Sequence, residues 1–267
     1  MLQPIPQFQS HEIKTANDCA IMQWNGYDYV TGKQVVGDYE LLDVFSRELI
    51  RSTSVSPQAP SFSQQDIRSL IRVCRMKATY LHQKSLDFPN MESLLFNCYP
   101  AILGTSLAAI PAGDSLPAVT HFMLDASKSL VKPGIFHPGA HRVALASRLL
   151  FFAAPDLLIF NYSRPLATKA MGFGTVPAKA YPNFADTMLA GLRDNWTELE
   201  RYNIPLDTSG NQLSNILSAY NTHWWTRRLL DIALLIHFKV FKPYRARIRM
   251  VRNCTYKNQN QTTVPCP

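Results

Sequence analysis

Residues 132–163, KPGIFHPGAHRVALASRLLFFAAPDLLIFNYS, contain the pattern on which the interpretation of this chain depends. They read as a short hairpin, a strongly apolar helix, a Pro155-Asp156 break, and an apolar approach to one polar residue, Asn161. The pair Pro138-Gly139 immediately precedes the helix. Unpaired amides at a helix N-terminus and the helix dipole both favour an anion, so this turn predicts a phosphate-binding site.

The composition is that of a packed globular protein with a positive net charge. Of its 267 residues, 46% are hydrophobic and only 17% are charged, which argues against a disordered chain. Lys and Arg number 27 against 19 Asp and Glu, a net charge of +8. This balance favours a polyanionic partner, either nucleic acid or an acidic membrane surface.

The cysteines and the apolar runs bear on where the protein works. The five cysteines are odd in number and lack C-x-x-C spacing, so they predict neither a disulfide framework nor a zinc site. The first ten residues do not resemble a signal peptide, and the apolar runs 149–160 and 229–236 are too short to span a bilayer. We therefore expect a cytoplasmic protein without a membrane span. We also expect the protein to be a monomer.

Helical periodicity dominates the chain, and no alternating run demands a strand. Residues 1–37 read as an irregular arm. The predicted helices cover residues 38–51, 63–83, 91–109, 118–131, 144–152, 181–203, 212–220 and 222–241. The fold class is therefore all-α, with two helical lobes around a groove. Residues 1–62 form an arm and helix packed on the second lobe, 63–162 form the lobe with the hairpin, and 163–267 complete the second lobe and end in a basic tail.

The central stretch resembles the helix-hairpin-helix DNA glycosylases, the superfamily of endonuclease III, the adenine mismatch glycosylase and 8-oxoguanine glycosylase. Pro138-Gly139-Ala140 matches the hairpin, residues 144–152 match its second helix, and Asn161 falls where the family has a catalytic aspartate. More narrowly, the chain is similar to a bacterial branch with the 8-oxoguanine-glycosylase fold. That branch includes enzymes implicated in defence against phages with modified cytosines.

This resemblance implies a helix-hairpin-helix glycosylase-like fold and an enzyme that excises a modified or damaged base to leave an abasic site. It implies DNA as the partner, with no cofactor and no catalytic metal. The expected DNA-binding residues at the hairpin are His137, Gly139, His141 and Arg142. Hypermodified phage cytosine, such as a glucosylated hydroxymethylcytosine, and oxidised guanine are both candidate substrates.

The chain departs from the family pattern at several positions. The second hairpin glycine is His141, and the family's iron–sulfur cysteine set is absent, since only Cys254 and Cys266 lie near the C-terminus. Val143 stands where bifunctional members have a lysine nucleophile. Because a Schiff base requires an amine, the prediction is a monofunctional glycosylase.

The replacement of the catalytic aspartate by Asn161 decides how the chemistry is interpreted. An amide cannot remove a proton, but its carbonyl oxygen can orient a water and face the positive charge that develops on the sugar. This suits an electron-poor or bulky modified pyrimidine as the leaving base. Two alternatives remain open, namely that Asn161 caps a helix over residues 162–170 and that Asp156 supplies the carboxylate.

Base excision also requires an aromatic pocket for the extruded base. The candidates are Trp24, Tyr27, Tyr29 and the adjacent pair Trp224 and Trp225. Adjacent residues on a helix face about 100° apart, so one of Trp224 and Trp225 is expected in the core and the other in the groove. A different function class also remains open, namely a non-catalytic protein that binds DNA or a lesion on a glycosylase scaffold. A third reading treats the Pro-Gly turn as purely structural.

Overall fold

The computed structural model describes residues 3–35, 37–38, 87, 89–90, 116–130, 132, 139–153, 157–202 and 212–243. Within these ranges the chain is helical and has no strand, which confirms the all-α class there. An isolated antiparallel bridge joins Tyr27 and Gln34. The predictions for residues 39–86 and 91–115, for the hairpin at 133–138 and for the basic tail lie outside the described residues.

The described residues include six α-helices and one short π-helix. The α-helices are α1 Ser10–Trp24, α2 Leu116–Ser129, α3 Gly139–Ala153, α4 Pro177–Asp194, α5 Trp196–Leu199 and α6 Gln212–His237, and the π-helix is Pro165–Ala170. The helices predicted near 118–131 and 144–152 are confirmed. The helix predicted over 181–203 is divided into α4 and α5, and the two predicted over 212–220 and 222–241 are one continuous helix, α6.

Helices α4 and α5 are separated by Asn195, which is buried and bonded to the N-terminal segment. Its Oδ1 accepts a hydrogen bond from the backbone N–H of Phe8 at 2.7 Å, and its Nδ2 donates to the carbonyls of Pro6 and Gly191 at 3.1 and 2.9 Å. A buried amide requires such partners. The sequence pattern did not indicate this break, because Phe8 lies 187 residues away.

The irregular arm predicted over residues 1–37 is wrong for residues 10–24, which form α1. The Glu12 side chain accepts a hydrogen bond from the backbone N–H of Gln9 at 3.0 Å, which satisfies one unpaired donor at the helix start. Every residue from Ala16 to Trp24 is buried. Because α1 is buried on all sides there and includes polar residues, its sequence lacks the apolar and polar faces that reveal a surface helix.

Helix α6 lies at the centre of the described core. It packs against α1, α4 and α5, while α3 packs against α2 and α4. Every residue of α6 from 224 to 235 is buried, including Arg227, Arg228 and Asp231. Buried charged groups are costly unless they have partners inside the protein. These three side chains therefore indicate where the polar chemistry of the interior is concentrated.

Gly37, which directly precedes the buried Asp38, tests how tightly the N-terminal segment is packed. A Cβ at Gly37 would lie 2.4 Å from the carbonyl oxygen of Trp24 and 2.8 Å from the amide nitrogen of Gly26. Both are backbone atoms that cannot rotate away, so we expect Gly37→Ala to lower the free energy of unfolding by roughly 1–3 kcal/mol. Chemical denaturation measures this change. The control is Gly174→Ala, where a Cβ would meet nothing within 4 Å, and equal midpoints for the two variants would contradict the prediction.

Candidate functional site

The hairpin residues expected to bind DNA are only partly described. Helix α3 begins at Gly139, five residues before the start of the helix predicted over 144–152, so His141 lies in its first turn. Arg142 is half-buried, and His137 lies outside the described residues. The helix itself is confirmed with an earlier start, while the phosphate contacts of these four residues stay predictions. Val143, at the position of the family lysine, is 1% exposed and lies in the core.

After α3, residues 157–163 form a non-helical connection whose apolar side chains enter the core. Leu158, Ile159 and Phe160 are each at most 4% exposed. Their burial takes the neighbouring backbone carbonyls out of water, so these carbonyls need protein donors. The Arg227 guanidinium on α6 supplies two of them, because its Nη1 donates to the carbonyls of Leu157 and Ile159.

Two further hydrogen bonds fix the backbone on either side of Asn161. The hydroxyl of Tyr181 on α4 donates to the carbonyl of Phe160 at 3.0 Å. The backbone N–H of Tyr162 donates to the hydroxyl oxygen of Ser147 on α3, also at 3.0 Å. Side chains from α3, α4 and α6 therefore converge on the backbone of this segment and determine where Asn161 lies.

The Asn161 side chain is half-buried and contacts a carboxylate on α6. Its Nδ2 donates to Asp231 Oδ2 at 3.4 Å, a long hydrogen bond. The alternative that Asn161 caps the following helix is wrong, since that helix begins at Pro165 and has Arg164 as its N-cap. The other alternative, Asp156, lies outside the described residues.

Asp231 belongs to a chain of buried charged groups that leads away from Asn161. Arg228 Nη1 lies 3.5 Å from Asp231 Oδ2, and Arg228 Nε donates to Asp38 Oδ2 at 2.9 Å. The three charged side chains are between 1% and 6% exposed. We call Asn161, Asp231, Arg228 and Asp38 the buried polar cluster. It joins the segment after α3, the central helix and the N-terminal part of the chain.

The cluster is incompletely satisfied by protein groups. Asp38 Oδ1, Arg228 Nη2 and Asp231 Oδ1 are buried and have no hydrogen-bond partner among the described residues. The nearby Arg148 on α3 has a buried Nε in the same state. Most buried polar atoms in folded proteins are paired, so this group of exceptions beside Asn161 marks the cluster as a candidate site among the described residues.

Burial raises the pKa of the Asp231 carboxyl above its ordinary value. The positive charge of Arg228, the amide of Asn161 and the charge of Arg148 act in the opposite direction, while Asp38 adds to the rise. Carboxylates perturbed by burial together with specific charged neighbours are concentrated at functional sites. The raised pKa of Asp231 thus agrees with the choice of the Asn161 region as the candidate site.

The three tryptophans proposed for the base pocket lie in the core instead. Trp24, Trp224 and Trp225 are 4%, 1% and 0% exposed. The indole N–H of Trp224 donates to the carbonyl of Phe151 at 2.9 Å, and that of Trp225 donates to Asn17 Oδ1 at 3.2 Å. The expectation that one ring of the adjacent pair faces a groove is wrong in this structure, because α6 is covered on both sides. The base-pocket assignment thus has no support here.

Sequence reasoning did not select Asp231, Arg228 or Asp38 as site residues. A signal existed for Asp231, since it is a single carboxylate within the apolar run Leu229–Ile236. A charged residue in the middle of a buried helix must have a partner. No such signal existed for Asp38, whose partner Arg228 is 190 residues distant in sequence.

No family model, curated protein or solved structure matches the chain. In the part of the chain that the structure describes, no three His, Cys, Asp or Glu side chains are grouped as metal ligands. Nor does any helix in these ranges have the length and apolarity needed to cross a bilayer.

Proposed function

We propose that this protein is a monofunctional DNA glycosylase, which excises a modified or damaged base and leaves an abasic site. The observation that carries the proposal is the position of Asn161. Its backbone is fixed by Tyr181 and Ser147, and its half-buried side chain projects from a short segment that follows α3. This arrangement suits a residue that must be held still against a substrate.

The chemistry requires stabilisation of positive charge at the sugar. As the bond between C1′ and the base nitrogen breaks, the base departs with the electron pair and takes up a proton, while water adds to C1′. The carbonyl oxygen of Asn161 carries a partial negative charge that can face this centre and accept a hydrogen bond from the attacking water. A base that is already a good leaving group needs no stronger catalyst.

Three observations support DNA as the partner and hydrolysis as the reaction. Helix α3 begins at Gly139, where the first backbone amides have no partner within the helix and can bind an anion. The chain also has a net charge of +8. The buried Val143 offers no amine for a Schiff base at the family's lysine position. These features favour release of the base without cleavage of the strand.

Base release tests the proposal directly. The purified protein is incubated with phage DNA containing glucosylated hydroxymethylcytosine, and separately with a duplex containing 8-oxoguanine, before treatment with alkali. We expect strand breaks that appear only after alkali. Breaks without alkali would contradict the monofunctional assignment. If neither DNA loses base while salt-sensitive binding persists, the non-catalytic DNA-binding alternative is favoured.

Replacing Asn161 by alanine is expected to slow single-turnover base release by about a hundredfold or more, because a preorganised group at the reacting centre is lost. DNA affinity, measured by fluorescence anisotropy, should stay unchanged, since the phosphate contacts lie elsewhere. The matched control is Asn183→Ala, at an exposed position on α4. If Asn161→Ala released base as fast as Asn183→Ala, Asn161 would have no role in the reaction.

A further inference from the structure

The partner of Asn161 determines which end of its amide can face the substrate. In the structure the amide nitrogen of Asn161 points toward Asp231 Oδ2, which also faces Arg228, and the carbonyl oxygen points away from it. A carboxylate beside a guanidinium accepts hydrogen bonds and therefore favours this orientation. A carboxamide without a charged partner has two orientations, related by a flip, that exchange oxygen and nitrogen. Only one of them presents the oxygen to a developing cation, and the other would present N–H donors.

We propose that Asp231 is a positioning residue, which selects the orientation of Asn161 that turns its carbonyl oxygen toward the bound sugar. The inference rests on the function proposed above and names the group on which that function depends. Asp231 itself is 3% exposed, so it acts through Asn161 and does not contact the substrate.

Helix α6 positions both residues of the contact between Asn161 and Asp231. Asp231 and Arg228 stand one turn apart on α6, and Asp38 fixes the Arg228 guanidinium from the other side at 2.9 Å. The neighbouring Arg227 binds the carbonyls of residues 157 and 159, just before Asn161. A central helix therefore positions both the carboxylate and the segment that presents the amide, which keeps their relative geometry constant.

A purely structural role for Asp231, as a counter-charge for Arg228, predicts a different result. Arg228 retains Asp38 when Asp231 is changed, so a counter-charge role would appear only in stability. A positioning role would appear in the rate of base release per folded molecule, with DNA affinity unchanged. Three variants separate the two roles, and each is compared at equal folded fraction, determined by thermal unfolding.

Asp231→Asn is expected to slow single-turnover base release about tenfold or more, because the amide orientation is no longer fixed. Asn161→Asp places a half-buried carboxylate at hydrogen-bonding distance from the buried carboxyl of Asp231 and is also expected to be slow. The double variant Asn161→Asp/Asp231→Asn exchanges the two groups and keeps one amide donor and one carboxylate acceptor. We expect it to be faster than either single variant, whereas Asp186→Asn, an exposed control on α4, should match the wild type.

Wild-type release by Asp231→Asn, or a double variant no faster than Asn161→Asp, would overturn the inference. A readout that needs no activity is the exchange of the Asn161 side-chain amide protons with solvent, followed by NMR on protein labelled with ¹⁵N-asparagine. The signal is assigned by its loss in Asn161→Ala. If the Asn161 amide protons exchange freely in a protein that does release base, the role of Asp231 is overturned while the glycosylase proposal stands. If these protons are protected but the protein releases base from neither DNA, the glycosylase proposal is overturned while the contact between Asn161 and Asp231 stands.

Discussion

Trp224→Ala is expected to lower the free energy of unfolding by about 3–5 kcal/mol, the range for deleting a large buried aromatic side chain. Trp224 is 1% exposed, and its ring centroid lies 5.3 Å from that of Phe151 and 6.0 Å from that of Trp225. Alanine would leave a cavity among these rings and remove the indole donor from the Phe151 carbonyl. Denaturant titration measures the loss. The half-buried Trp196 is the matched control, and Trp196→Ala should cost clearly less.

A milder change at the same position separates a core residue from a base-stacking one. Trp224→Phe keeps most of the ring area and removes the N–H, so we expect a stability loss of about 1–3 kcal/mol from the unpaired carbonyl. Base release per folded molecule should match the wild type. If Trp224 stacked on an extruded base, release would fall roughly tenfold or more with little change in stability, since stacking contributes about 1–3 kcal/mol per base. That outcome would restore the base-pocket assignment.

Arg227→Met is expected to lower the free energy of unfolding by about 2–5 kcal/mol. Methionine retains an unbranched apolar side chain but leaves the buried Ile159 carbonyl without its Arg227 donor, at roughly 1–3 kcal/mol. It also removes one donor from the part-buried Leu157 carbonyl, which keeps the backbone N–H of Ile159. The guanidinium also lies 5.4 Å from the centroid of the Phe151 ring, a cation–π contact that is lost as well.

The same variant should affect function beyond its effect on stability. Because Arg227 holds the segment just before Asn161, we expect base release per folded molecule to fall even at temperatures where the variant is fully folded. Arg193→Met, at an exposed position on α4, is the control and should change neither property. A destabilised Arg227→Met enzyme with wild-type release would show that this segment does not need Arg227 to present Asn161.

The sequence predicted those elements whose signals are local. Helices α2 and α3 follow from apolar residues at helical spacing, although α3 begins at Gly139, earlier than the predicted residue 144. Helix α1 was not predicted, since from Ala16 onward it is buried on every side and its polar residues interrupt the apolar pattern. The division between α4 and α5 was not predicted either, because Asn195 breaks the helix through bonds to residues near the N-terminus.

The candidate site shows the same difference between local and long-range information. The resemblance of the central stretch to a family motif selected Asn161, because its spacing from the Pro-Gly turn can be read directly from the sequence. It did not select the partner of Asn161, which lies 70 residues away on α6. Nor did it distinguish a helix cap from a contact with a buried carboxylate, because both are compatible with an asparagine after an apolar run.

By itself the sequence determined the positive net charge, the all-α class and the helices near 118–131 and 144–152, and it selected Asn161 as a candidate site residue. Only the tertiary structure decided that the three tryptophans lie in the core and that Asp231 stands beside Asn161. The physical reason is that helices and turns depend on residues within a few positions of one another, whereas burial and charge pairing depend on which elements pack together. In this protein the packing of α1, α3 and α4 around α6 brings the carboxylate to the amide.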